Sequence, residues 1–164
     1  MHTRVLHLKH GPTLLVRPLR HGDVRTVVAV FERLGDASRR RRFNGPKPCL
    51  SRADLRALAA EDGSHHVLVG WAEGDPQPVA IARVVRDGKT AEIAFAVADD
   101  YQHQGIGSAL VRELLADARA AGITEIVAQT TSDNPAALAL MRRAAKVLEL
   151  CMEGPELSVR AAIA

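Results

Sequence analysis

The chain has 164 residues, of which 47% are hydrophobic and 25% are charged, and its formal net charge is +3. This length and composition predict a single domain over residues 1–164 with one sizeable core, and they exclude disordered and fibrous classes. The mild positive charge favours small anionic ligands. Nucleic-acid binding is not predicted, because the few aromatic residues (three Phe, one Tyr and one Trp) do not interleave with the basic run.

The cysteine usage predicts a reducing compartment, and the hydropathy pattern predicts no membrane span. Cys49 and Cys151 cannot form a disulfide framework, and we expect Cys151 to be a small core residue. No apolar stretch reaches the ~18 residues of a membrane span, so a cytoplasmic location and no membrane association are expected. The histidines lack the spacing of a zinc site, and no metal is predicted.

The first half of the chain predicts a strand followed by two helices. Thr13–Leu19 has a β-type pattern, and a helix is expected to begin after Asp23, an N-cap residue. An Arg-rich turn follows, and Ser51 is predicted to cap a second, short helix. The run Arg39–Arg42 is interpreted as a solvent-facing helix end and is left out of the site.

The second half predicts a mixed α/β arrangement. Asp-Gly and other turn signals separate three antiparallel strands, and Gly122 marks the end of a long helix. The predicted elements are strands at 66–71, 79–85 and 91–98, a helix at 108–121, a strand at 125–130, a helix from Pro135, and a closing hairpin of 147–152 with 157–163.

The segment Gln102–Gly107 joins the third of these strands to the long helix and suits a diphosphate. Its glycines allow close backbone approach, and the helix start adds unpaired N–H donors. The glycines alone are equally compatible with a strand-to-helix connection that binds no ligand. A Rossmann-type nucleotide site is disfavoured, because Leu110 stands where a third small residue is needed. A P-loop is excluded, because no Gly-Lys-Ser/Thr follows.

Gln102-x-x-Gly105-x-Gly107 resembles the Q/R-x-x-G-x-G/A acetyl-CoA motif of the GNAT superfamily of N-acetyltransferases. Asp133-Asn134-x-x-Ala137 is similar to the second cofactor segment of that family. The resemblance implies an α/β GNAT fold with a mixed, mostly antiparallel sheet, helices on both faces, and a splayed strand pair that holds acetyl-CoA. It also implies that the backbone groups of Ala96 and Val97 pair with the amides of pantetheine. The cofactor-binding residues implied are Ala96, Val97, Gln102, His103, Gln104, Gly105, Ile106, Gly107, Ser108 and Asn134.

A narrower resemblance suggests the acceptor. Val16–Leu19, Phe31–Phe43 with Gly45-Pro46, and Ala91–Phe95 are similar to the catalytic domain of actinobacterial protein lysine acetyltransferases. This implies transfer of an acetyl group to an amine, with a protein lysine favoured over a small-molecule amine. No oligomeric state is predicted.

Glu92 is the candidate general base. Strand alternation places Glu92, Ala94, Ala96 and Ala98 on one face, and the bulkier Ile93, Phe95 and Val97 on the helix-packed face. From Glu92 to Ala98 is roughly 20 Å, comparable with the reach of a pantetheine arm. A partly buried glutamate there could take the proton of an amine. The alternative is an ordinary solvated strand glutamate.

The sequence departs from the family pattern at one catalytic position. Many members have a tyrosine in the last helix as general acid, and the matching residue is Met141. Methionine cannot donate a proton, so the thiolate is expected to leave unassisted or through water. This departure also keeps open a catalytically weak acyl-CoA-binding or interaction module.

Overall fold

One mixed sheet with helices on both faces organises the chain. This computed structural model describes residues 2–163. Its elements are, in chain order, β1 (Arg4–His7), β2 (Thr13–Pro18), α1 (Val24–Glu32), α2 (Asp36–Phe43), α3 (Arg52–Leu58), β3 (His65–Ala72), β4 (Ala80–Asp87), β5 (Thr90–Val97), α4 (Ile106–Ala120), β6 (Glu125–Thr131), α5 (Pro135–Ala144), β7 (Lys146–Glu153) and β8 (Glu156–Ala162). The strands lie in the order β1-β2-β3-β4-β5-β6-β8-β7, and the predicted fold class is confirmed.

The predicted elements are all present, with ends within two residues of the prediction. Asp23 accepts a hydrogen bond from the N–H of Thr26 at 3.1 Å, and Ser51 with Asp54 forms a capping box at the start of α3. The sequence analysis missed β1 and α2. β1 is a four-residue edge strand, and α2 buries none of its residues and has no side-chain N-cap, so neither has a strong local signal.

Two apolar clusters occupy the two faces of the sheet. The larger lies between the sheet and α4, where Leu110, Leu114 and Ile126 are fully buried, and the smaller lies beneath α1 and α3 around Leu19 and Val69. On β5, Ile93 packs in the larger cluster with Phe95 and Val97 against it, as alternation predicted.

β5 and β6 are the one parallel pair in the described sheet, and they separate part-way along their length. Their pairing runs from Thr90 with Glu125 to Ile93 with Ala128 and then stops. β6 continues to Thr131 paired with β8, so it bends away from the end of β5. A gap therefore opens between the last residues of the two strands, as the family resemblance implied.

β7 is an exposed edge strand. Cys151 lies on it and is exposed, so its predicted place in the core is wrong; the strand has no neighbour on its outer side that would bury it. Cys49 is also exposed. None of the helices within residues 2–163 is long and apolar enough to span a membrane.

His66, at the start of β3, lies between two carboxylates. Its Nδ1 is 2.9 Å from Oε1 of Glu61, and its Nε2 is 2.9 Å from Oδ2 of Asp117, which also pairs with Arg4 at 2.6 Å. The hydrogen bond with Glu61 raises the pKa of His66; burial opposes this shift and the contact with Asp117 adds to it. Only the imidazolium can donate to both carboxylates, so protonation ties β3 to α4.

The His66 contacts predict a pH-dependent stability. Because the folded-state pKa lies above the unfolded value of about 6.5, the stabilisation is complete below that pH and is lost as pH rises through the raised pKa. We expect the melting temperature of the wild type, relative to His66→Gln, to fall by about 2–4 °C between pH 6 and pH 8.5, equivalent to about 1 kcal/mol after solvent screening. His10→Gln, an exposed site, is the control. A difference that does not change with pH contradicts the prediction.

Candidate active site

A cleft of about 450 Å³ lies where β5 and β6 diverge. Its walls come from α2, from the second half of β5, from the turn between β5 and α4, from the end of β6, and from α5. The residues that line it are Leu34, Ser38, Arg41, Arg42, Ile93, Ala94, Phe95, Val97, Tyr101, Gln102, His103, Gly105, Ile106, Gly107, Ser108, Ala128, Gln129, Thr130, Asn134, Ala136, Ala137, Leu140, Met141, Arg143 and Val159. This size is typical of a small-molecule site.

The turn before α4 presents a series of free backbone donors to the cleft. His103 and Gly105 have left-handed backbones, with φ of 61° and 84°, and α4 begins directly afterwards. In the described chain, the N–H groups of residues 103–108 donate to no other residue. Alternating left-handed residues and a helix N-terminus aim successive N–H groups at one point, which forms an anion site.

The side chain of Gln102 holds this turn in place. Its Nε2 donates to Ser38 Oγ at 3.0 Å and to the carbonyl oxygen of Val97 at 3.1 Å, and it lies 3.3 Å from Asp99 Oδ1. These contacts join the turn to α2 and to the end of β5. Gln102 therefore positions the cleft walls, although it also lines the cleft.

A second set of contacts fixes the turn from its outer side. Arg33 pairs with Asp75 at 2.8 Å and with Asp100 at 2.9 Å, and the hydroxyl of Tyr101 donates to Asp75 at 3.0 Å. The hydrogen bond to Asp75 raises the pKa of Tyr101. Asp99 Oδ2 accepts from the N–H of Gly35, immediately before α2. These carboxylates lie outside the cleft.

The backbone of β5 offers hydrogen-bonding groups along the open edge. The N–H of Ala98 donates to Val79 at 2.8 Å on the β4 side. Because alternate residues point these groups to opposite edges, the groups of Ala96 face β4 and those of Phe95 and Val97 face the gap. Ala96 does not line the cleft, so Phe95 takes the place in this edge that the sequence analysis gave to Ala96.

The charged side chains that line the cleft are basic. Arg41, Arg42 and Arg143 line it, and no Asp or Glu is among its lining residues in the described chain. The interpretation of the Arg39–Arg42 run as a solvent-facing helix end is wrong for Arg42, which is half-buried, whereas Arg41 is exposed and also lines the cleft. Helical spacing from Ser38 was the available signal, since positions i, i+3 and i+4 share one face.

Most of the residues implied as cofactor-binding meet in this cleft. Gln104 does not line it, and its side chain donates to the carbonyl oxygen of Asp100 at 3.3 Å. Asn134 lines it, but its side chain caps α5, accepting from the N–H of Ala137 at 3.3 Å, and donates to Thr130 at 3.2 Å. The lining members are Val97, Gln102, His103, Gly105, Ile106, Gly107, Ser108 and Asn134, together with Met141.

Glu92 lies outside the lining of the cleft, on the face of β5 that α2 covers further along. It is exposed, so the expected partial burial is wrong. The reason is that α2 reaches Ala94 but not the start of β5. Arg42 and Arg83 lie within electrostatic reach of Glu92. Burial and the charge of Arg83 lower the pKa of Arg42 to about 10, and Glu92 opposes this shift.

Comparison with known proteins identifies the family. The sequence model of the acetyltransferase (GNAT) family matches residues 27–145. The chain belongs to this family. Acetyltransferase Pat of Mycolicibacterium smegmatis is 36% identical over 143 residues, which are 84% of this chain and 42% of that protein. Acetyltransferase PA5475 of Pseudomonas aeruginosa is 31% identical over 79% of this chain and 72% of that protein.

Solved structures agree with this assignment. The GNAT domain of S. lividans PAT superposes with a TM-score of 0.87 at 26% identity, covering 98% of this chain and 96% of that one. A cAMP-binding acyltransferase from Mycobacterium smegmatis has a TM-score of 0.68 at 27% identity, covering 99% of this chain and 48% of that one. This chain thus spans less than half the length of the two mycobacterial relatives. The predicted enzyme class, an N-acyltransferase, is that of the GNAT family.

Gly11 lies against the turn before α4, on the side away from the cleft. It lies in the loop between β1 and β2, where a Cβ would overlap the carbonyl oxygen of Gln104 and come within 3.2 Å of Leu8. A larger residue at this position must displace either its own loop or the backbone of the turn.

We expect Gly11→Ala to weaken acetyl-CoA binding about tenfold, because overpacking of this kind costs about 1–3 kcal/mol and acts on the donor geometry. Gly63→Ala is the matched control, since a Cβ there meets nothing within 4 Å. Isothermal titration calorimetry of both variants measures the dissociation constants. Equal affinities in the two variants would show that the loop does not position the turn.

Proposed function

We propose that the protein is an acetyl-CoA-dependent N-acetyltransferase that transfers the acetyl group directly to an amine, with a protein lysine as the acceptor. The observation that carries this proposal is the cleft between β5 and β6, which ends at the unpaired N–H groups of the turn before α4. Together with membership of the GNAT family, this geometry supports a ligand with a diphosphate at one end and an extended arm.

The residues of the cleft fit acetyl-CoA. The N–H groups of residues 103–108 would hold the pyrophosphate, and the basic side chains of Arg41 and Arg143 would offset its charge. The open backbone groups of Phe95 and Val97 would pair with the amides of the pantetheine arm, in place of a β6 residue. The carbonyl oxygen of Val97 already accepts from Gln102, which leaves its N–H as the donor at this point.

The bound acetyl-CoA supplies an acetyl group activated as a thioester. Glu92 takes a proton from the acceptor amine, because an ammonium has no lone pair with which to attack. Glu92 lies two residues before Ala94, which lines the cleft, a separation of about 6.6 Å along the strand. An intervening water molecule can span that separation. A further open backbone N–H of β5 near Val97 would stabilise the charge that develops on the thioester oxygen.

The departing thiolate has no side-chain acid in this proposal. Met141 is 1% exposed and lines the cleft at the position matched to the tyrosine of the GNAT family pattern, and a thioether cannot donate a proton. The hydroxyl of Tyr101, the one tyrosine of the chain, donates to Asp75 and faces away from this point. A thiolate leaves without protonation more readily than an alkoxide or amide does, so water is sufficient.

The choice of acceptor rests on likeness. Segments of β2, α1–α2 and β5 resemble protein lysine acetyltransferases, and the chain is 36% identical to acetyltransferase Pat. A small-molecule amine is the alternative, and a panel of lysine peptides and polyamines distinguishes the two. We place the reaction in the cytoplasm, where acetyl-CoA is available and where the exposed thiols of Cys49 and Cys151 stay reduced.

Two observations favour a second function, a catalytically weak acyl-CoA-binding or interaction module. Met141 replaces a proton donor, and Glu92 does not line the cleft. Release of CoA in the presence of amines separates the two functions, because a binding module would bind acetyl-CoA without turnover.

The position of Gly107 makes a prediction about cofactor binding. A Cβ there would lie 3.4 Å from Val97 and 3.6 Å from Leu140, which is ordinary contact, whereas a larger side chain would enter the cleft. At ~100 times its dissociation constant, acetyl-CoA should stabilise the wild type and Gly107→Ala by about 2.7 kcal/mol, or roughly 5–10 °C. Gly107→Leu should lose this shift. NAD and ATP are the comparison ligands, and a shift with either of them instead of acetyl-CoA would refute the cofactor assignment.

The role of Glu92 makes a prediction about turnover. Glu92→Gln should lower kcat about 10²–10⁴-fold, the usual contribution of a general base, and leave the affinity for acetyl-CoA unchanged. The rate of the variant should rise with pH as more of the free amine becomes neutral. Glu149→Gln, an exposed glutamate on β7, is the control. Full turnover of Glu92→Gln at all pH values would contradict the assignment of Glu92 as the general base.

A further inference from the structure

Three charged side chains surround Ala94 at the inner end of the cleft. Arg83 on β4 is the register partner of Ala94, Glu92 precedes Ala94 by two positions on the same face, and Arg42 approaches from α2. Arg42 lines both the cleft and a small apolar cavity of about 30 Å³ beneath α2, and Arg83 lines the small cavity. The two arginines therefore meet where these spaces join.

The charges of these arginines are incompletely neutralised. Within the described residues, neither Arg42 nor Arg83 has a carboxylate within 4.0 Å, and Glu92 also forms no ion pair. Arg83 donates one hydrogen bond to the carbonyl oxygen of Ala57 at 3.0 Å, and its Nε is buried without a partner. The guanidinium of Arg42 lies 4.9 Å from the ring centroid of Phe43, and it donates no hydrogen bond to a described residue. Buried guanidinium groups without hydrogen-bond acceptors are costly unless a ligand supplies them.

We propose that Arg42 and Arg83 form an anion subsite beside Glu92 that binds a carboxylate. This inference rests on the proposed function, because the subsite lies where the acyl group and the acceptor amine would meet. The planar fork of a guanidinium matches a carboxylate, and two forks around one small side chain, Ala94, leave room for it. The carboxylate comes either from an acidic residue next to the acceptor lysine or from the far end of a dicarboxylic acyl group.

The alternative reading of the pair is structural: the arginines could serve only to hold α2 and α3 on the sheet. The bond from Arg83 to Ala57 at the end of α3 fits that role. It does not account for Arg42, which donates no hydrogen bond to a described residue, nor for the unpartnered Nε of Arg83. A bound carboxylate would account for both.

A direct binding experiment tests the subsite without turnover. The probe is acetate, with neutral acetamide as its control, added to the wild-type protein while the arginine Nε–H resonances are followed by NMR. We expect the resonance that disappears in Arg83→Lys to shift with acetate and not with acetamide. No shift with acetate at concentrations that leave the protein folded would overturn the proposal.

Turnover identifies the source of the carboxylate. The first arm compares lysine peptides that have Asp or Asn beside the lysine. The second arm compares succinyl-CoA with acetyl-CoA. The wild type should prefer either the Asp peptide over the Asn peptide or succinyl-CoA over acetyl-CoA, by about tenfold or more in kcat/KM. This is the size expected for a charge-assisted hydrogen bond. Arg83→Met and Arg42→Met should each reduce that preference toward one.

Arg40→Gln is the matched control, because it removes the same charge from an exposed position on α2 that does not line the cleft. It should keep the preference. A preference that is absent in both arms, or that persists in both Met variants, contradicts the subsite. Absence of turnover with every amine would contradict the proposed function instead, and the acetate titration would still decide the subsite.

Discussion

The divergence of β5 and β6 after Ile93 and Ala128 is the constraint on which the cleft depends. β6 stays paired with β8 along its whole length, and this pairing draws it away from β5. Strand edges that separate inside a sheet leave backbone N–H and C=O groups without partners, and buried groups of this kind must be satisfied. One of them, the carbonyl oxygen of Val97, is satisfied by Gln102. The others remain for water or for an extended ligand, so the break in the sheet is itself the binding edge.

The same glutamine connects the break to α2. Its amide reaches Ser38 on α2 as well as Val97, and Asp99 holds the N–H of Gly35 at the start of that helix. A Cβ at Gly35 would lie 2.6 Å from Oδ2 of Asp99, so a larger residue would displace this carboxylate. α2 buries no residue of its own and has a basic last turn. Its position, and with it the position of Arg41 and Arg42, therefore depends on contacts with the turn and on the packing of Phe43 and Arg39 against Phe31.

Elements with local signals could be predicted from the sequence. Asp23, Ser51 and Gly122 mark helix ends by side-chain capping or by a left-handed backbone, and the structure has them in these roles. The turn from Gln102 to Gly107 combines glycines with a following helix, which is also local. α2 could not be predicted in this way, since distant residues hold it. Nor could β1, which forms only as an edge partner of β2.

The candidate site likewise contains features that local sequence predicts and features that depend on tertiary contacts. Alternation correctly assigned Glu92 and Ala94 to one face of β5, but it could not reveal that α2 covers Ala94 and leaves Glu92 exposed. The composition of the Arg39–Arg42 run predicts exposure to solvent. A run of like charges, however, gives no information about the tertiary contacts of a helix, so the half-buried position of Arg42 could not be predicted. The role of Ala96 was misplaced by one residue, since the edge to which a backbone group points depends on which strand is the neighbour.

The distribution of charge around the cleft ties binding to chemistry. Arg41, Arg42 and Arg143 line it, whereas Asp75 and Asp100 are held by Arg33 on the outer side of the turn. A cleft with this basic lining attracts a polyanion and repels an ammonium. Under the proposed function, the phosphates of acetyl-CoA offset Arg41 and Arg143 before a cationic acceptor approaches. The acceptor then meets Glu92, a carboxylate outside the basic lining, at the point where its proton has to be removed.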